Sequence, residues 1–313
     1  MTGDAADDDG KAHRITPAQL LALTAQLALV LAAISASRIG ESFGLALLLP
    51  LIGLGFVVHA LVPARLRPAV FVVLSLAAIA RVLGVEAGAA LVAAGLGLIG
   101  IVHLPVRPVL RVILLLTAGG VLAWLRASDD AGTVWELALP VLGSMFMFRL
   151  IIYAYDNARP GRSVDPWQRL AYFFMLPNVC FLLFPVVDYK TFVRSWYAAD
   201  AYATYRRGLA LMSRGIVHIV LYRAVYHYLV PDPVEVTGLG QLAWFMATTY
   251  GLYLRISGQF HIVVGVMCLF GYSLPDTHHL YFMATNFNDL WRRINVYWRD
   301  FMVKIFYYPV WFR

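Results

Sequence analysis

The chain has 313 residues, 61% of them hydrophobic and only 14% charged, with a formal net charge of +7 and a mean hydropathy of +0.71. A water-soluble core has no room for that much apolar surface, so the composition excludes an ordinary soluble domain and predicts a polytopic membrane protein. The basic residues lie at joints between apolar runs, not on one basic face. This excludes nucleic acid as a partner and makes the lipid bilayer the first expected one.

Residues 1–14 form an acidic tail (Asp4, Asp7, Asp8, Asp9) ending in Lys11, His13 and Arg14, expected to be disordered. The apolar run from Ile15 to Ile34, followed by Ser35-Ala36-Ser37, imitates a signal peptide. It is too long, and its leader is acidic, so it reads as a first spanning helix. Residues 15–155 form an N-terminal set of transmembrane helices, with spans expected at about 15–36, 43–63, 68–84, 87–106, 108–126 and 134–154. The third is marginal in length. Joints rich in basic residues (Lys11 with Arg14; Arg65 with Arg67; Arg107 with Arg111; Arg159 with Arg162 and Arg169) alternate with joints holding one basic residue beside acids. The positive-inside rule then places the N-terminus and the 156–169 loop in the cytoplasm. Arg149 is expected to snorkel to the cytoplasmic surface. His59 and His103 read as structural residues near span ends, and Gly40, Gly44, Gly53 and Gly55 as close-packing positions.

From Pro160 aromatic residues rise and polar residues enter the apolar runs, which sets off residues 156–313 as a second region. Pro177, Asn178 and Pro185 break residues 171–187, which predicts a re-entrant or kinked segment. Residues 188–208, with Lys190, Arg194, Arg206 and Arg207, are expected along the cytoplasmic surface. Residues 209–230 can span but carry Arg214, His218, Arg223 and His227, costly groups that face a bundle interior or an aqueous cavity. Residues 239–255 are read as the returning span, and residues 259–272, carrying His261, as too short to span alone.

Residues 276–309 are the densest in chemistry. As one helix from Asn288 to Lys304, they place Phe287, Leu290, Trp291, Ile294, Trp298 and Phe301 on one apolar arc. Asp289 with Arg293, and Asp300 with Lys304, become i,i+4 ion pairs on the opposite face. Asn295 falls at the border, between Trp291 and Trp298 and flanked by Arg292 and Arg299. Such an amide could hold a polar substrate. An amphipathic helix on the membrane surface is the alternative reading. His278-His279, adjacent in sequence, is poor metal-ligand spacing. The chain carries no Walker A, GxSxG, HExxH or CxxC motif. Cys180 and Cys268 lie in apolar runs and read as small buried hydrophobes.

The segment GQFHIVVGVMCLFGYSLPDTHHLYFMATNFNDLWRRINVYWRDFMVKIFYYP resembles the membrane-bound O-acyltransferase (MBOAT) family. Phe270-Gly271-Tyr272 and Leu274-Pro275 match the family's lead-in. Trp291-Arg292-Arg293 matches its Trp-Arg core, and Asn295 stands where the family has His or Asn. Tyr307-Tyr308-Pro309 matches its closing aromatic-Pro, while Ile294 replaces the usual Trp. Upstream, FFMLPNVCFLLFPVVDYKTF resembles the family's Pro-rich segment, with Pro185, Tyr189 and Phe192 in place. The resemblance implies an all-α, polytopic transmembrane bundle with re-entrant and interfacial helices, in a bacterial-style cytoplasmic membrane. It implies transfer of an acyl group from a thioester, acyl-CoA or an acyl carrier, to a hydroxyl-bearing acceptor such as a polysaccharide or lipid, with no bound cofactor. Asn295 would orient the reactants, and Trp291, Arg292, Trp298, Arg299, His261 and His279 would contact donor or acceptor.

The family's distal histidine, its expected base, has no counterpart in the eighteen residues between Asn295 and Arg313. The expectation is therefore a chain that is incomplete or inactive alone, or one in which another histidine takes over, His261, His278 and His279 being the nearest in sequence. A transporter or flippase, or a non-catalytic membrane subunit, are the rival readings.

Overall fold

The computed structural model describes residues 15–39, 44–128, 132–157, 165–181 and 186–311. The acidic tail, Gly40, Glu41, Asp129, Asp130, Arg159, Pro160, Arg162 and Pro185 lie outside the described residues. Within them the chain is all-α, with no strand. In order the helices are α1 (Pro17–Ala36), α2 (Leu45–Leu61), α3 (Arg67–Leu83), α4 (Val85–His103) and α5 (Pro108–Ala127). There follow α6 (Gly132–Val141), α7 (Met147–Asn157), α8 (Pro166–Phe173), α9 (Tyr189–Ser195) and α10 (Ala201–Tyr228). The last are α11 (Leu239–Gly251), α12 (Tyr253–Leu269), α13 (Phe287–Ile294), α14 (Val296–Met302) and α15 (Tyr308–Trp311).

Six helical segments of the described residues are long and apolar enough to cross a membrane: 17–36, 64–83, 85–103, 108–127, 201–228 and 239–269. The protein is thus a polytopic membrane-type helical bundle. The pair α6 and α7, interrupted at Ser144, makes a possible seventh. Pro140 sits just before that interruption and removes a backbone donor from the ladder. The short member of the first set is α2, at 17 residues, and not 68–84, which a 3-10 turn over Ala64–Leu66 extends to 20.

Helix starts follow local chemistry. Thr16 and Gln19 close a capping box ahead of Pro17. Asp165, Asp188 and Asp200 cap α8, α9 and α10 through hydrogen bonds from Trp167 N, Thr191 N and Ala203 N. Several helix ends are capped by arginine. Arg67 donates to Val62 O and Ala60 O at the end of α2, and Arg223 to Ser37 O and Arg38 O after α1.

Three expectations change and a fourth holds. Residues 201–208 begin the 28-residue α10 and are not a separate surface segment. Residues 259–272 are not an isolated short run: α11 and α12 form a 31-residue helical segment, because Leu252 keeps helical angles at their joint. Arg149 does not snorkel. It is fully buried and donates to Tyr172 O at 2.9 Å. Residues 171–181 are broken as expected, into α8 and a 3-10 turn over Leu176–Val179, and are buried in protein.

The described chain forms two compact units that interleave along the sequence. Unit 1 comprises Met1–Ala46 and Tyr197–Ile294, and unit 2 comprises Leu47–Trp196 and Asn295–Arg313. The division at residue 155 read from composition marks a change of character along the chain, whereas these units are defined by contacts.

Candidate functional site

In unit 1, α10 and α12 pack face to face over four glycines spaced seven apart on each helix. A Cβ on Gly215 would lie 2.6 Å from Gly258 O, and one on Gly265 would lie 2.7 Å from Gly208 O. Only glycine allows backbones this close, the small-residue contact of membrane helices. The contact sets His218 of α10 against α12. His218 Nδ1 lies 3.0 Å from Ser257 Oγ, and the His218 and His261 ring centroids are 5.0 Å apart.

After Leu269 the helix stops at Gly271, whose φ of +87° suits glycine. Tyr197 N donates to Gly271 O at 2.7 Å. The chain then runs back beside α12 without helical structure. Arg207 holds its start, donating to Ser273 Oγ at 2.6 Å and Asp276 at 2.7 Å. His278 reaches His261, Phe260 and Tyr253, with ring centroids 6.0, 5.5 and 5.3 Å apart. Tyr281 packs on Tyr253 at 4.8 Å. At 1.5 Å per residue, Tyr253 lies about 24 Å along the helix from Leu269. Non-helical backbone beside so much of a spanning helix is tolerated only where protein covers it or a cavity meets it.

The hydrogen bonds assign the protons. His261 Nδ1 is 2.6 Å from Ser257 O, an acceptor only, so Nδ1 carries hydrogen. The Tyr253 hydroxyl donates to Ile294 O, so its contact with His278 Nε2 at 2.7 Å requires the proton on Nε2. Burial favours the neutral ring. The lone pair of His278 therefore sits on Nδ1, which is buried and has no partner. Thr277 Oγ1, one residue earlier, is likewise buried and unpartnered. The Tyr281 hydroxyl lies beside Ser257 without a hydrogen bond of normal geometry. Each such group costs about 1–3 kcal/mol when left unpaired, and three fall within residues 277–281.

The sequence-predicted residues fall differently. Asn295 is not inside a helix. Its backbone is extended (φ −155°, ψ 90°), and its Oδ1 caps α14 by accepting from Trp298 N at 3.1 Å. The expected helix from Asn288 to Lys304 is therefore two helices, and the arc through Trp291, Asn295 and Trp298 does not exist as one face. Trp291 and Arg292 lie exposed on α13 in unit 1. Trp298 belongs to an apolar cluster of unit 2 with Phe148 and Phe301. Asp289 and Arg293 pair at 2.7 Å as expected. Asp300 instead pairs with Arg299 at 2.6 Å, and Lys304 with Asp156 at 2.7 Å. His279 is exposed, its backbone N donating to Arg293 O at 3.0 Å. His261 is in the cluster. His278 is buried because the stretch folds back onto α12.

Sequence reasoning passed over Ser257, Tyr253, Thr277 and Tyr281. The signal available was the seven-residue spacing of Gly208 with Gly215 and of Gly258 with Gly265, which announces a close helix pair. Among the described residues no group of three His, Cys, Asp or Glu is placed to hold a metal ion. Two surface hollows, one lined by Pro231, Glu235 and Trp244 and one by Met302, Phe306 and Trp311, contain none of the cluster. Neither a family model nor a curated protein matches the chain.

Proposed function

We propose that the chain is a membrane-embedded acyltransferase that moves an acyl group from a thioester, acyl-CoA or an acyl carrier, to a hydroxyl acceptor such as a polysaccharide or a lipid. The observation that carries this reading is His278 Nδ1, a buried lone pair with no partner on the stretch that precedes the Trp291-Arg292 motif. The motif's resemblance to the MBOAT family supplies the reaction class. The acceptor hydroxyl donates to His278 Nδ1 as its oxygen attacks the thioester carbonyl. The C–S bond breaks, and the thiolate takes the proton from His278. The Thr277 hydroxyl is a donor for the negative charge that develops on the carbonyl oxygen. The buried stretch shifts to admit the substrates. In this reading the base precedes the motif, no downstream histidine is needed, and Asn295 acts as a helix cap.

The reading further places the protein in a bacterial-style cytoplasmic membrane, with its N-terminus and 156–169 loop cytoplasmic. Reporter fusions at residue 12 and at Ser163 then both report cytoplasm, and opposite sides would remove this topology.

The test is thiol release from radiolabelled acyl thioesters by the purified chain in lipid nanodiscs, with a panel of hydroxyl acceptors. His278→Ala lowers turnover by a factor of about 10²–10⁴, while His279→Ala, at the exposed neighbour, leaves it. Turnover indifferent to His278→Ala, or no thiol release from any thioester, would sink the proposal. A non-helical stretch against spanning helices also suits a transporter. Solute uptake into proteoliposomes without thioester cleavage would favour that reading.

A further inference from the structure

We infer a second site, for a phosphate group, built in unit 2 by His103, Arg111, Tyr153 and Arg169. These residues come from four elements, α4, α5, α7 and α8. The Tyr153 hydroxyl lies 2.9 Å from His103 Nε2, with the rings edge to face at 5.6 Å. The Arg169 guanidinium lies within reach of the Tyr153 side chain, and His103 feels the charges of both Arg169 and Arg111. With Arg169 able only to donate, Tyr153 satisfies its neighbours by giving its proton to His103 Nε2. The His103 hydrogen then lies on Nδ1, on an exposed ring.

Arg111 spends Nη2 on Leu104 O at 3.0 Å, closing the turn between α4 and α5. Its Nε is out of water and without a partner, and so is Nε of Arg169. The ion pairs described in unit 2 are Arg299 with Asp300 and Lys304 with Asp156, so among the described residues neither arginine is in an ion pair with a carboxylate. Asp165, one turn before Arg169, accepts from Trp167 N. The cluster thus keeps two guanidinium Nε–H groups that are out of water and meet no acceptor among the described residues, beside an imidazole N–H on an exposed ring. A carboxylate answers one fork. Three donors from separate elements call for a group with several oxygens and more than one negative charge, which a phosphate provides.

Its source is either a lipid headgroup or a phosphate of a soluble ligand, since the 103–111 joint lies at the end of two spanning helices. The test uses the full chain in phosphatidylcholine nanodiscs, with phosphatidic acid added to the disc in one arm and ADP titrated in the other. Bound lipid is read by native mass spectrometry and ADP by calorimetry. Binding of phosphatidic acid alone supports a headgroup site, and binding of ADP supports a soluble ligand. In either arm the double variant Arg111→Gln/Arg169→Gln loses affinity at least tenfold, while its melting temperature in plain phosphatidylcholine stays within a few degrees of the parent. Arg126→Gln, at the opposite end of α5, is the control and leaves affinity unchanged. Absence of binding in both arms overturns the inference. So does an equal loss in Arg126→Gln, which would mean diffuse electrostatic attraction only.

Discussion

Each unit gathers a cluster of imidazole and tyrosine, and the two clusters lack opposite things. In unit 1 the donors find carbonyls: His261 Nδ1 reaches Ser257 O, and the Tyr253 hydroxyl reaches Ile294 O. What remains is a lone pair, on His278 Nδ1. In unit 2 the tyrosine meets the Arg169 guanidinium instead. What remains is N–H, on Arg111 and Arg169. The same two ring types therefore yield a base in one place and an anion-seeking surface in the other. The difference comes from the neighbours, because an imidazole takes the tautomer that its strongest partner demands.

The largest effect expected separates the clusters by function. His278→Ala removes about 10²–10⁴ of acyl transfer, while His103→Ala, measured in the same thiol-release assay, leaves the chemical step and weakens phosphate binding. Equal loss of turnover in both variants would erase the distinction.

Stability comes next. Gly215→Ala drives a methyl to 2.6 Å from the Gly258 carbonyl, an overpacking that costs about 1–3 kcal/mol. Gly100→Ala in α4 of unit 2 meets nothing within 4 Å and changes stability by up to about 1 kcal/mol in the favourable direction. Thermal melts in detergent check both, and similar behaviour would mean that α10 and α12 are not in glycine contact.

A smaller effect belongs to Asn295. Removing its cap in Asn295→Ala costs about 0.5–2 kcal/mol, whereas Asn295→Ser keeps a capping oxygen and most of the stability. Acyl transfer by the serine variant at the parent's rate supports the cap. A collapse of rate in a stable Asn295→Ser would return Asn295 to the chemistry.

The smallest is a pH effect at the start of α13. The hydrogen bond from Arg293, and then that from Thr285 N, hold the Asp289 carboxyl below its usual range. A depressed folded value means that the contribution is present above the unfolded value, near 3.9, and fades as pH falls through the folded one. The Asp289→Asn variant should therefore differ from the parent at neutral pH and converge with it in acid. A constant difference down to low pH would show that the carboxylate charge is not involved.

Much of the fold was legible in the chain order. The apolar runs at 15–36, 87–106 and 108–126 match α1, α4 and α5 closely, because a run of about 20 apolar residues has few alternatives in lipid. The helix Asn288–Lys304 was misread because its 3.6-residue pattern continues through Asn295. A good capping residue in that pattern restarts a helix as readily as it continues one. Arg149 was misread because a charged residue near a span end usually finds water. Here the broken backbone around Tyr172 supplies a buried carbonyl instead.

By itself the sequence determined the class of molecule, the positions of most spans and the segment that carries the polar chemistry, since hydropathy and length act locally. It also held His218, His261 and His278, sixty residues from first to last. Only the tertiary structure brought them together, through glycine contacts that let α10 and α12 touch and a non-helical stretch that turns back at Gly271. Which nitrogen of each ring keeps its proton was decided later still. That depends on carbonyls of Ser257 and Ile294, backbone atoms that every residue carries and that only folding assigns to a particular partner.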